Sequence, residues 1–571
     1  MDTLPVIIVG SGVAAYNAAR VLHSLGVQNI QIRTEGRQAG TSRNAGSDKQ
    51  TYYKLSLAGE GRDSVRDMAR SFYAGGGVDG ELALVMAAYS AQCFYTLVEL
   101  GVPFPKNEYG EYVGYQTDHD STNRATSAGP LTSRYMTEAL EQAVLAADID
   151  IIEKQSIAEI HQAHGHLTGL SFINTETEEI AFCPCRCGIL ATGGPANLYA
   201  ESVYPKSQSG ALGICAAAGL QLSNLHNWQY GIASLRPRWN LSGSYQQALP
   251  RYISIGADGG VSEFLPLYMT PEEAILFTFR KGYEWPFDPE KATASSRIDI
   301  AVHAEIHEKQ RRVYLDYTQN PVGLAPDLSN LPPEVGSYLQ NCNAIGNTPY
   351  RRLQSMNRAA IELYRSHALD LQTAPLEIAV CAQHCNGGVA VNAHWETSLP
   401  GLFAVGECAG TFGAKRPGGS ALNAAMVGAY RAAERVAGGI AAAPPATALP
   451  SPPCNGNAVA PPGGNAAALR RELSAHAAFR RNAAEIHRMR GTYRRQRDAL
   501  PPPKTLAELR IYDNLHAACA ILSAMEAQES VPSMKNPITL TQGDTTVFRE
   551  ATPLPNPDTW FERVWAASQR S

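Results

Sequence analysis

The chain contains no apolar run that approaches the roughly 18 residues a bilayer crossing needs, so no membrane span is expected. Its start lacks a basic stretch followed by an apolar core. Instead "PVIIVGSG" begins a fold within five residues, which argues against a cleaved signal peptide. Neither sign of charge dominates: 48 lysines and arginines against 53 acids leave a net charge of −5, too little field to gather nucleic acid or an anionic membrane. Runs that attach iron–sulfur clusters or haem, such as C-x₂-C-x₂-C or C-x-x-C-H, are absent. The eleven cysteines are odd in number and lack small-scaffold spacing, and read as free thiols in a reducing cytoplasm. Any redox centre is therefore expected to be a bound organic cofactor.

What is present is an ordinary globular composition, 44% hydrophobic and 18% charged, spread over 571 residues. That length exceeds one core and predicts about two to four domains. "VIIVGSGVAAYNAARVL" reads as a short strand, a glycine turn and an alanine-rich helix, and "NIQIR" as the next strand. This is the opening of a dinucleotide-binding βαβ unit: Gly10 for the tight turn, Gly12 for close approach to a pyrophosphate, Ala15 at the packing position. The acid that would meet a ribose is assigned to Glu35, with Thr34 or backbone as the alternative. Helices are predicted over about 83–100 and 131–147, and strands over about 151–160 and 167–174, before the buried strand of "CGILATGG". Residues 226–375 are mixed and loop-rich and look like an insertion. The strand–turn–helix pattern resumes at "GLFAVGECAG", followed by the helix "SALNAAMVGAYRAAERVAGG". Residues 441–465 are a Pro/Ala/Gly linker. The chain then reads helical and basic to about 531 and ends in an irregular tail.

Three motifs in order, "GSGVAA", "ILATGGP" and "GLFAVGECAG…RPGGSAL", resemble the flavoprotein subunit of the fumarate reductase and succinate dehydrogenase family, with L-aspartate oxidase as a cousin. The resemblance covers about residues 5–435. It implies FAD and an α/β, Rossmann-like FAD-binding domain in two parts (1–225 and 376–440). An α+β capping domain (226–375) would interrupt these parts, and a C-terminal helical domain with a tail (466–571) would follow. By resemblance, Gly10, Gly12 and Ala15 hold the pyrophosphate, and Ala191, Thr192, Gly193 and Gly194 lie against the adenosine half. Glu407 binds the ribityl or diphosphate region, and Ser420 and Leu422 sit beside the flavin ring. Ser42 and Gly46, in the segment 40–55, would also touch the cofactor. That segment has no histidine for a covalent link, so the FAD is expected to be non-covalent. Arg297 corresponds to the family arginine that delivers a proton, and Arg416 to the one that clamps a substrate carboxylate, a role that suits bidentate guanidinium.

The departures are equally specific. Gly231, in "WQYGIAS", stands where the family has a carboxylate-binding histidine. The second family histidine falls at Gln383, with His384 one place later. In "CAQHCNGG", Gly387 and Gly388 are expected close to the cofactor, and Cys381 and Cys385 to be core or pocket residues. "CPCRCG" reads as a packing strand rather than a zinc site, and no metal is expected. The arginine-rich stretch near 470–497 reads as a solvated face with acid partners, or more sharply as a docking face for an acidic electron-transfer partner.

The resulting expectation is a cytoplasmic, FAD-dependent oxidoreductase. It would reduce or form an activated C=C bond in a carboxylate-bearing substrate other than simple fumarate, with Arg297, Arg416, Gln383 and His384 around that substrate. The alternative is an amino-acid or amine oxidase or dehydrogenase.

Overall fold

A computed structural model describes residues 4–59, 61–117, 119–196, 198–439 and 466–569. The expected linker at 441–465 lies outside the described residues. Strand Val6–Val9 is buried throughout and runs parallel to Ile30–Arg33 on one side and Cys187–Leu190 on the other. Leu402–Ala404 and Asp150–Ile152 complete a five-stranded sheet. Near-continuous apolar strands are what a parallel sheet covered on both faces requires. The helix Val13–Ser24 packs on the helix Ser420–Ala437, so the two halves of this domain, some 400 residues apart in sequence, share one layer. Asn17 ties them by donating from Nδ2 to the Met426 carbonyl at 2.9 Å.

The inserted region is built on a six-stranded antiparallel sheet. Its order is Arg238–Asn240, Trp228–Leu235, Leu376–Cys385, Arg312–Asp316, Arg251–Ile255 and Val261–Glu263. Strand Leu376–Cys385, which the sequence groups with the returning FAD-binding part, thus hydrogen-bonds into the sheet of the insertion and connects the two domains. Its pairing with Trp228–Leu235 slips by one residue: Gln229 faces His384 while Tyr230 faces Ala382, which leaves Gln383 as a bulge.

Inside the insertion, Lys281 and Asp299 are both fully buried, with Nζ 2.8 Å from Oδ2. Lys281 also donates to the carbonyls of Glu284 (2.9 Å) and Trp285 (2.7 Å) and so pins the loop after the helix Pro271–Arg280.

The C-terminal helices are Ala466–His476, Ala483–Asp498 and Leu506–Ala527, the last opened by a Thr505/Glu508 capping box. Two arginines of this region, Arg490 and Arg497, pair with Glu526 and Asp544. The last 40 residues differ from the expected irregular tail. Pro537–Gln542 and Thr545–Glu550 form a hairpin whose first strand pairs with Leu222–Ser223. The stretch Gly80–Glu99 corrects a second expectation, since it is long and apolar enough by length and composition to cross a membrane. Its inward side chains, including Met86, Ala87, Phe94 and Leu97, are buried in the protein core.

Candidate active site

The C-terminal ends of the parallel strands and the underside of the inserted sheet enclose a cavity of about 620 Å³. Crevices at strand ends are where open α/β sheets bind ligands, because loops diverge there and helix N-termini point inward.

At one end the wall is backbone-rich. Gly10, Gly12, Ser42, Thr192 and Gly193 line it. Gly10 has φ +124°, and a Cβ on it would stand 2.4 Å from the Ala191 carbonyl oxygen. A Cβ on Gly12 would stand 2.9 Å from the Ser42 hydroxyl. Gly10→Ala is expected to lose about 1–3 kcal/mol of stability from backbone strain, with weaker FAD retention on gel filtration and a lower Tm. Glu35 lines this end, as assigned, but its Oε1 already accepts from Ser156 (2.7 Å), Ser209 (2.9 Å) and Arg510 (2.5 Å). Arg510 comes from the C-terminal helix, 475 residues away, and carries no local sequence signal.

Five of the residues expected at the cofactor are placed differently. Ala15 is fully buried behind the cavity and its neighbour Ala14 lines it instead. Gly194 is held by Glu407, whose Oε1 would meet a Cβ there at 2.4 Å. Gly388 lies against the Cys408 carbonyl and Gly387 against the backbone of Asn224, so chain crossing, not a cofactor, demands these two glycines. Ser420 is buried, donating to the Pro417 carbonyl at 2.6 Å. Ala191, Gly46, Glu407 and Leu422 line the cavity.

Glu407 is enclosed, accepting from the Tyr204 hydroxyl and from the Cys385 N–H at 3.0 Å. Burial outweighs these partners and the nearby Arg416 charge, raising its carboxyl to about 7. The sign follows from proton linkage. A folded state that holds this proton more tightly than the unfolded chain loses stability as pH rises from about 4.5 to about 7. Glu407→Gln is expected to remove a slope worth about 3 kcal/mol across that window. The pH dependence of Tm for the two proteins checks it.

At the other end Arg416, Gln383 and His384 meet on the wall. Arg416 lies over the Phe412 ring (5.5 Å) and reaches the Ser420 hydroxyl only at 3.4 Å, and its Nε has no partner. Burial lowers its guanidinium to about 10, which leaves it cationic at neutral pH. Both polar atoms of the Gln383 amide and Nε2 of His384 are also buried without partners. Consecutive strand residues normally face opposite sides. The bulge at Gln383 turns both side chains to the cavity, so the two positions the sequence offers for the second family histidine share one wall. Gly231 leaves the room that Gln383 fills: a Cβ on Gly231 would stand 2.6 Å from the Gln383 Nε2.

His384 is held in one tautomer. Asn386 donates from Nδ2 to the Gly413 carbonyl at 2.8 Å, so its Oδ1 faces His384 Nδ1 at 3.1 Å and accepts a hydrogen bond from the Nδ1–H. Nε2 is then a bare acceptor. Burial and Arg416 hold the imidazole well below its ordinary range, so it stays neutral. The helix Ser420–Ala437 begins beside this cluster, with Gly418, Gly419 and Leu422 on the wall, and adds the positive end of its dipole.

Arg297 is not brought to this cavity. It is not among the residues that line the cavity, and it pairs with Glu273 (3.1 Å) and the Tyr268 carbonyl. The expectation that it faces substrate is corrected by that ion pair at the helix start.

A family model described as FAD binding domain matches residues 5–422. L-Aspartate oxidase of Streptomyces coelicolor is 23% identical over 451 residues, covering 77% of this chain and 68% of that protein. A fumarate reductase (CoM/CoB) subunit of Methanothermobacter marburgensis is 25% identical over 363 residues, covering 63% of this chain and 59% of that protein. Among solved structures, a mutant of E. coli quinol fumarate reductase FrdA superposes with a TM-score of 0.68 at 17% identity, covering 98% of each chain, so the fold is shared.

Proposed function

This chain belongs to the FAD binding domain family and is an FAD-dependent oxidoreductase; from that premise we propose that it forms or reduces an activated C=C bond in a carboxylate-bearing substrate. One observation carries the proposal: an enclosed guanidinium, Arg416, with an unpartnered Nε, beside an unpartnered amide and an unpartnered imidazole nitrogen on one cavity wall. Buried polar atoms are normally partnered, and these four share one cavity wall, where a single ligand would meet them together.

The cavity's backbone-lined end fits the cofactor. Gly10, Gly12 and Ser42 would hold the diphosphate, Glu35 a ribose, and the wall at Glu407 the middle of the molecule. Bound FAD supplies a two-electron centre that exchanges a hydride with carbon. The chain's own residues do the rest. Arg416 and the start of helix Ser420–Ala437 attract a carboxylate and stabilise the negative charge that builds on it as the α-carbon becomes enolate-like. His384 Nε2, unprotonated, accepts a hydrogen bond from the substrate, while the burial and the Arg416 charge that keep the ring neutral disfavour its protonation. Gln383 can donate to and accept from the same substrate.

Anaerobic photoreduction followed by a screen of 2-enoates, and mixing of the oxidised protein with the matching saturated acids, tests the reading. Reoxidation by an enoate or bleaching by an acid supports it; a flavin unmoved in both directions overturns it. The oxidase reading rests on the L-aspartate oxidase relatives and places the same residues around an amino acid. Hydrogen peroxide release in air would mark it.

A further inference from the structure

The charges on the wall decide what else the substrate carries. Three cations line the cavity among the described residues: Arg33, Lys49 and Arg416. Arg33 belongs to the Glu35 end, where it stacks on Phe172 at 5.1 Å, and Lys49 is exposed. Arg416 is therefore the enclosed cation of the substrate end. The insertion side of the cavity presents an acid instead. Asp48 is 2% exposed, and its Oδ1 accepts from Ser244 and from Asn357 Nδ2 at 2.8 Å. Its Oδ2 faces the Gly243 backbone, where a Cβ would stand 2.0 Å away. On the same cavity the acceptors Asn240 Oδ1 and Gln383 Oε1 and the Gln383 Nε2 donor are buried without partners.

A dicarboxylate entering carboxylate-first to Arg416 would bring its second charge to a wall with a buried acid, Asp48, and the unfilled acceptor of Asn240. Like charges in a low-dielectric enclosure repel strongly. A group that donates hydrogen bonds would satisfy the same atoms. We propose that this site takes a monocarboxylate whose second polar group is a hydrogen-bond donor, such as an amide, hydroxyl or ammonium, and that it turns dicarboxylates away. The proposal rests on Arg416 as the carboxylate anchor.

Isothermal titration of the FAD-loaded protein with matched pairs, succinate against succinamate and fumarate against its monoamide, tests it. The monoamide should bind at least tenfold more tightly, with the monomethyl ester, neutral but without a donor, in between. Asp48→Asn should shrink the gap to under threefold, chiefly by improving the dicarboxylate. Arg416→Met should abolish binding of every member. Equal or tighter binding of the dicarboxylate by the wild-type protein overturns the proposal, yet leaves the anchor standing if Arg416→Met still loses it. Affinities unchanged in Arg416→Met, or no binding by any member, overturn the anchor and the proposal together. The wild-type series decides the outcome even where Asp48→Asn fails to fold.

Discussion

Arg416→Met is expected to lower carboxylate affinity by about 10²–10³-fold, from the 2–5 kcal/mol that truncating one partner of an enclosed charge pair typically removes. Methionine keeps the contact with Phe412 and adds no strain, so the FAD content should stay near wild type. Arg416→Lys should recover only part of the loss, because an ammonium is a compact point charge that cannot grip both carboxylate oxygens in one plane. A second consequence distinguishes lost anchoring from general damage. Arg416 lowers the Glu407 carboxyl from a distance, so removing it should leave the onset of the fall in Tm unchanged and move the pH at which the fall ends upward. A variant that lost affinity with the Tm profile unmoved would show that Arg416 and Glu407 do not share a field.

The largest stability effect is expected at Lys281. Lys281→Met strands Asp299 in a site where neither residue touches water, and breaking such a pair from one side costs about 3–5 kcal/mol. Burial already holds the Asp299 carboxyl above its ordinary range, so the variant should take up a proton there and be less damaged at low pH. Replacing both residues by apolar ones should restore much of the stability, since the buried charge disappears. Ligand affinity should not return with it. The carbonyls of Glu284 and Trp285 lose their shared donor, and Trp285 and Pro286 are cavity wall. Chemical unfolding of the single and double variants, with ligand titration of the double, separates the two roles.

The parts of the site that sequence can locate are those where a short local pattern has a backbone consequence. Gly10 and Gly12 are legible because a strand, a tight turn and a helix start leave little alternative. Glu407 is reached through the family resemblance, and it lines the cavity. Arg416 is reached only through the family resemblance, yet it rests on the wall beside Gln383 and His384. What stays hidden depends on long-range registry. Nothing in "QHC" announces a bulge, because the slip is settled by the facing strand at Gln229 and Tyr230. Arg510 reaches Glu35 through the docking of a whole helix, and its neighbours in sequence are those of any charged helix face. Arg297 fails for the converse reason. A helix-start arginine looks the same whether it meets substrate or, as here, Glu273 one helix away. The hairpin at 537–550 reads as tail because two short strands have no periodicity to show until Leu222 and Ser223 pair with them.

The contact between positions 231 and 383 sets the order in which this site can change over generations. Any side chain at 231 must share space with the amide of Gln383, since even a Cβ would approach it to 2.6 Å. Installing histidine at 231 alone would crowd the wall, whereas shortening 383 first opens the room. The two positions are coupled: a side chain at 231 must push aside the flexible end of Gln383, so the path between the two anchoring schemes is easier when 383 changes first. A library that varies either position alone would therefore misjudge both, and paired variation is needed to find the neighbouring specificities.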